Sequence, residues 1–272
     1  MKAAYYEQTG PAERVLVVGD LPYPQPAADE VRVRLEWTGV NPSDVKARSG
    51  ARGPTMPFPR VIPHSDGMGF IDAVGAKVDP ARIGQRVWVW NAAWARPDGT
   101  AAGFVVLPQQ QAVALPDNVA GEVGACLGIP ALTAAHAVLT DGGVAGQRVL
   151  VAGGAGAVGH YAVQFAHLLG ARQVITTVSS PAEAELARMA GADAVIDYRN
   201  ENVAERVREA TDGAGVDRVI EVDIAANAVI DMEVVRFEGI WVSPWLPATR
   251  CTKRPANATR NAGQAAHATG RL

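Results

Sequence analysis

Three glycines, Gly154, Gly156 and Gly159, stand at G-x-G-x-x-G spacing between an apolar run at 149–152 and a helical segment that begins near His160. Residue types in that pattern serve one kind of chemistry. One glycine permits a tight turn, one lets a pyrophosphate approach the backbone, and one lets the following helix pack close to the strand. The helix then aims its unpaired N–H groups at the phosphates. Gly153, Ala155, Ala157 and Val158 complete the backbone of this cradle. The strand before and helix after separate the motif from an ordinary glycine-rich turn.

About 20 residues past such a motif, NAD-specific sites carry an acid that binds the ribose hydroxyls. Here the chain reads Val178-Ser179-Ser180, with no carboxylate at that position. The 2′-phosphate of NADPH is therefore tolerated, and Ser179, Ser180 and Tyr198 offer hydroxyl donors. Glu183 opposes a phosphate unless it points away, whereas Arg199 supplies a positive charge. The expectation is NADPH in preference to NADH.

The elements that must position these residues follow from pattern. At 30–37 polar and apolar residues alternate, with Val31, Val33, Leu35 and Trp37 on one face, as in a half-buried antiparallel strand. Short apolar runs at 69–74, 86–90 and 103–107, separated by Pro, Gly and Asp-Gly turns, predict a small barrel or sandwich. The character changes near Pro116-Asp117-Asn118. Strands at 149–152, 173–178, 194–197 and 218–222 then alternate with helices at 160–169, 181–190 and 203–210, which is the order of a doubly wound parallel sheet.

Bulk properties bound the function. The chain has 272 residues, 48% hydrophobic and 19% charged, which leaves room for two domains with substantial cores. A net charge of −3 gives no basic surface for nucleic acid. No apolar run approaches the ~20 residues of a membrane span, and the first residues lack the apolar core of a signal peptide. Two cysteines, Cys126 and Cys251, are too few for a disulfide framework or a cysteine-rich zinc lobe. Cys126 reads as a small buried hydrophobe. A reducing cytoplasm is the expected location.

Five segments in order carry a family resemblance: Gly39-Val40-Asn41-Pro42-Ser43-Asp44, Ile62-Pro63-His64-Ser65-Asp66-Gly67-Met68-Gly69, Gly128-Ile129-Pro130-Ala131-Leu132-Thr133-Ala134, the glycine loop, and Ala190-Gly191-Ala192-Asp193-Ala194-Val195-Ile196-Asp197-Tyr198. From residue 1 to about 243 the chain resembles the zinc-free quinone oxidoreductase branch of the medium-chain dehydrogenase/reductase superfamily. The resemblance implies an α/β protein with a GroES-like β-barrel domain at 1–118, a Rossmann doubly wound parallel sheet at 119–243, and an active site between them. It further implies hydride transfer from NADPH to a quinone or similar conjugated carbonyl. By the same resemblance Asn41 lies beside the nicotinamide and the acceptor, where its amide donates a hydrogen bond. Asp44 orients neighbours, Lys46 supplies charge or a proton, and Thr133 contacts the nicotinamide. Zinc-dependent relatives place Cys near Asn41, Gly-His-Glu at His64-Ser65-Asp66, and Cys near Ile129. Catalytic zinc needs three converging protein donors, so no metal is expected, and His64 reads as a hydrogen-bonded loop residue.

The stretch 244–272 has five Lys or Arg, no Asp or Glu, and no Val or Ile. It cannot supply the buried parallel strands due next and reads as a disordered basic tail left by a shifted frame or truncated gene, with a tail for an acidic partner as the alternative. The Rossmann sheet would then be incomplete, and the dimer of relatives doubtful. A reductase of α,β-unsaturated aldehydes or enones, or a nucleotide-binding remnant without turnover, stay open as alternatives.

Overall fold

The computed structural model describes residues 1–51, 53, 55–243 and the backbone of 249–250; the rest of the expected basic tail lies outside the described residues. The chain divides into two compact units, Met1–Leu132 and Thr133–Leu272.

The first unit contains β1 (Lys2–Tyr5), α1 (Ala12–Val15), β2 (Val17–Asp20), β3 (Glu30–Gly39), α2 (Pro42–Ser49), β4 (Asp66–Val74), β5 (Arg86–Val89), β6 (Phe104–Pro108), β7 (Ala112–Ala114) and α3 (Gly121–Gly124). Five strands form an antiparallel sheet in the order β6-β3-β4-β5-β7, and β1 pairs with β2. Its core is built of small branched residues, Val31, Val33, Ile71, Val87, Val89, Val105 and Leu107, which suit a pleated surface. The alternation expected at 30–37 holds for Val31 and Val33 but fails at Trp37, which is 46% exposed. A register shift between Leu35 and Trp37 is the cause; an inserted residue re-aims every side chain after it. The unit extends past residue 118 because α3 packs on the sheet, with Gly121 against the Trp37 indole and Gly124 against Leu115 and Met68.

The second unit runs α4 (Leu132–Leu139), β8 (Arg148–Val151), α5 (Ala157–Leu168), β9 (Gln173–Val178), α6 (Pro181–Met189), β10 (Ala194–Asp197), α7 (Val203–Ala210), β11 (Val216–Ile220), α8 (Ile224–Val234), β12 (Val235–Val242) and β13 (Thr249–Arg250). The sheet order is β10-β9-β8-β11-β12-β13, parallel throughout except for the antiparallel β13. Order reverses between β8 and β11, the switch point where open α/β sheets bind ligands outside the carboxyl ends of their strands. Buried Gly159, Ala162, Val163 and Ala166 recur at helical spacing and turn one face of α5 to the sheet. Arg218 in β11 is fully buried. Its guanidinium donates to the carbonyls of Ala137 (3.2 Å) and Gly143 (3.0 Å) and to Gln147 Oε1 (3.2 Å).

Helix α8 has no counterpart among the sequence expectations, because its pattern is inverted. Val229 is 73% exposed while Asp231 is 3% exposed, so apolar spacing marks the wrong face.

Candidate functional site

The glycine loop joins β8 to α5 as its residues require. Gly153 adopts a φ of +64°, the left-handed region that favours glycine. Its N–H donates to Thr177 Oγ1 at 3.0 Å, and the Gly154 N–H donates to the Thr177 carbonyl at 3.0 Å. A Cβ on Gly154 would overlap Thr176 Oγ1 and lie 2.8 Å from Thr176 Cγ2. A Cβ on Gly159 would overlap the Gly153 carbonyl oxygen and lie 2.7 Å from its carbon. Gly156, the N-cap of α5, is exposed. Ala157 and Val158 open the helix, whose first N–H groups have no intrahelical acceptor; Ala155 stands half-buried just before it. The cradle therefore fits a pyrophosphate: the backbone is bare and the positive end of the α5 dipole faces it.

The end of β9 corrects one expectation. The Glu183 carboxylate folds back onto it: Glu183 Oε2 accepts from the Ser179 N–H at 2.7 Å and from Ser179 Oγ at 2.8 Å. Ser180 caps α6 by accepting from the Glu183 N–H at 3.3 Å. A carboxylate does stand at the strand end, supplied by the next helix rather than by the strand. Ser179's hydroxyl is committed to it, and these bonds hold the Glu183 carboxyl below its ordinary range. Tyr198 and Arg199, after β10, are exposed, and the Arg199 N–H donates to Asp197 Oδ1.

Between the glycine loop and α8 lies a cavity of about 640 Å³, lined among others by Gly153, Thr177, Tyr198, Asp223, Asn227 and Ile230. Two buried acids, Glu221 and Asp231, also line it. Asn227 Nδ2 donates to both Glu221 oxygens at 3.2 Å, and the Asp223 N–H donates to Glu221 Oε1. Burial first, then the Glu221 charge, push the Asp231 carboxyl up to about 8. The sequence carries no signal for this pair, since Glu221 and Asp231 meet only through the fold.

In the first unit Asn41 caps α2, and its N–H donates to Asp44 Oδ2 at 2.8 Å. Asn41 is 5% exposed, and its Nδ2 donates to Asp66 Oδ2 at 2.7 Å. The same oxygen accepts the Ile129 N–H at 2.9 Å, presented by a wide π-type turn at Leu127–Ala131. Asp66 is fully buried under Gly128, where any Cβ would overlap its carboxylate, and burial raises it to about 6. Asp66 is the functional candidate that sequence reasoning passed over. Lys46 is exposed on α2, and Thr133, half-buried in the first turn of α4, belongs to the second unit. His64 Nδ1 lies 3.0 Å from Thr38 Oγ1, the hydrogen-bonded loop position expected of it. Cys126 is exposed, not a buried hydrophobe: the turn that buries Gly124 and Ala125 leaves it on the outer side. Among the described residues no group of three or more His, Cys, Asp or Glu is gathered as a metal site. No described helix is long and apolar enough to cross a membrane.

The parallel sheet, its reversed order and the bare-backbone loop at the end of β8 define a Rossmann-like α/β unit preceded by an antiparallel β unit. Residues 27–117 match the alcohol dehydrogenase GroES-like domain, and residues 157–239 match the zinc-binding dehydrogenase family. A quinone oxidoreductase of Pseudomonas aeruginosa is 39% identical over 201 residues, which is 73% of this chain and 59% of that relative's length. A mouse quinone oxidoreductase is 30% identical over 88% of this chain and 71% of its own. A mycobacterial protein solved in complex with NADPH superposes with a TM-score of 0.77 at 33% identity, covering 89% of this chain and 73% of that one. The chain belongs to the medium-chain dehydrogenase/reductase superfamily, with quinone oxidoreductases among its relatives.

Proposed function

We propose that the protein is a reductase that moves hydride from NADPH to a quinone or similarly conjugated carbonyl, without zinc. The observation that carries this reading is the glycine cradle, where a Cβ at 154 or 159 would strike neighbouring atoms, opening beside the cavity at the switch point. The relatives support it: two are quinone oxidoreductases and a structural neighbour holds NADPH. Bound NADPH would supply the hydride; a proton then completes the hydroquinone. The chain's own part is binding and orientation. Gly153, Gly154, Ala155, Gly156, Ala157, Val158 and Gly159 hold the pyrophosphate, with Ser179, Ser180, Tyr198 and Arg199 at the ribose. Asn41 is fixed by Asp44 and Asp66, so its amide is preorganised as a donor where charge develops on the acceptor. Lys46 and Thr133 are assigned the supporting roles of charge and ring contact. The residue types support zinc-independence: soft or imidazole donors are missing at Asn41, Ser65 and Ile129, where the resemblance puts the ligands of zinc relatives, and the Asn41 amide and the Ile129 N–H are both bonded to Asp66. The reading places the protein in the cytoplasm.

The test follows NADPH absorbance with a simple benzoquinone, then with an enone. NADPH oxidation matched by hydroquinone formation and unaffected by a zinc chelator is expected. Binding without oxidation of NADPH by either acceptor would refute the reading.

A further inference from the structure

We propose that Glu183 sets the choice between the two nicotinamide dinucleotides, by holding the place at the end of β9 where a 2′-phosphate would take its hydrogen bonds. This rests on the reading that the second unit binds such a dinucleotide.

In doubly wound sheets the end of the second strand reads the adenosine ribose: a carboxylate there accepts from the 2′-hydroxyl, and an arginine nearby accommodates a 2′-phosphate. This chain has both elements at once. Ser179 directly follows β9, and its N–H and hydroxyl are the two donors that a phosphate oxygen would engage. Both are already given to a single oxygen, Glu183 Oε2, at 2.7 and 2.8 Å. Glu183 Oε1 makes neither bond and is the natural acceptor for a ribose hydroxyl. The carboxylate is fixed as well as near. Pro181 starts α6, Ser180 caps it through the Glu183 N–H, and Glu183 is the third residue of the helix, the position from which an acid reaches back. Arg199 stands close enough for its charge to favour the ionised carboxylate, with Asp197 opposing.

The consequence is an asymmetric competition. NADH meets a preorganised acceptor. NADPH must take Ser179 from Glu183 and stand beside a like charge, with Arg199 offsetting part of the repulsion. Glu183 thereby works against NADPH relative to NADH, and removing the charge while keeping the shape shifts the ratio towards NADPH.

The experiment titrates the full chain, wild type, Glu183→Gln and Glu183→Lys, with NADPH and with NADH, and reads Kd from nucleotide fluorescence. Gln retains the helix cap, as Glu or Gln serves at this position, so the variant folds. The wild type is expected to bind the two dinucleotides within about tenfold of each other. In Glu183→Gln the NADPH affinity rises about tenfold, the size expected for removing one like charge a few ångströms away in water, while NADH affinity stays level or falls. Glu183→Lys shifts the ratio further in the same direction. A ratio that moves less than about twofold in both variants overturns the role of Glu183 and leaves dinucleotide binding standing. If none of the three proteins binds either dinucleotide, the underlying function is overturned with it.

Discussion

Replacing Asp231 by Asn changes how the second unit responds to pH. Asp231 is 3% exposed and Glu221 is fully buried beside it. Two carboxylates in such a site cannot both ionise cheaply, and the Asp231 carboxyl is held at about 8 instead of its ordinary 3.8. Between those values the folded protein keeps a proton that the unfolded chain has released. Stability from this group is therefore full below about pH 4 and is lost as pH rises, by about 1.4 kcal/mol per unit. From pH 5 to pH 7 the loss is on the order of 3 kcal/mol, which is several degrees in Tm for a unit of this size. In Asp231→Asn a neutral amide faces Glu221 at every pH, so this slope vanishes. Scanning calorimetry of both proteins at pH 5, 6, 7 and 8 isolates the Asp231–Glu221 pair, since titrations elsewhere cancel in the difference. Wild type should lose ground against the variant steadily up to pH 8. A Tm difference that is constant across the series refutes the shared-proton account.

Two further perturbations test the loop and the first unit. Gly159→Ala places a methyl group into the Gly153 carbonyl, and the outward shift of α5 should weaken NADPH binding by at least about tenfold and destabilise the unit by about 1–3 kcal/mol, read by fluorescence titration and calorimetry. Asn41→Ala removes the 2.7 Å bond to a buried carboxylate, costing about 2–3 kcal/mol at pH 7. Because Asp66 titrates near 6, that cost should shrink below pH 6, where the carboxyl is protonated and needs the donor less; a pH-independent loss would contradict this.

The glycine loop was legible because its requirements are local: spacing, the strand before and the helix after all lie within twenty residues. The parallel order of β8 to β11 was legible for the same reason. What escaped depends on distant partners or inverted patterns. Asp66 gains its meaning from Asn41, 25 residues earlier, and Ile129, 63 residues later. Helix α8 hides behind an acid that faces inward. At Ser179-Ser180 the strand end reads as free of carboxylate, because the acid that fills it belongs to the next element in the chain. Trp37 follows a perfect alternation in sequence and leaves the core through a bulge that alternation cannot reveal.

The buried Arg218 also orders events in time. Helix α4 is followed by a local bond from the Thr140 N–H to the His136 carbonyl at 2.9 Å, but another carbonyl of its last turn, that of Ala137, is met by a guanidinium 81 residues later. During synthesis at about 5–20 residues per second, the ribosome needs roughly 4–16 seconds to deliver that partner. Until then α4 is a short helix of eight residues with a frayed end, below the length that persists alone in water. The last turn of α4 therefore receives this contact only once the fourth parallel strand, β11, is in place.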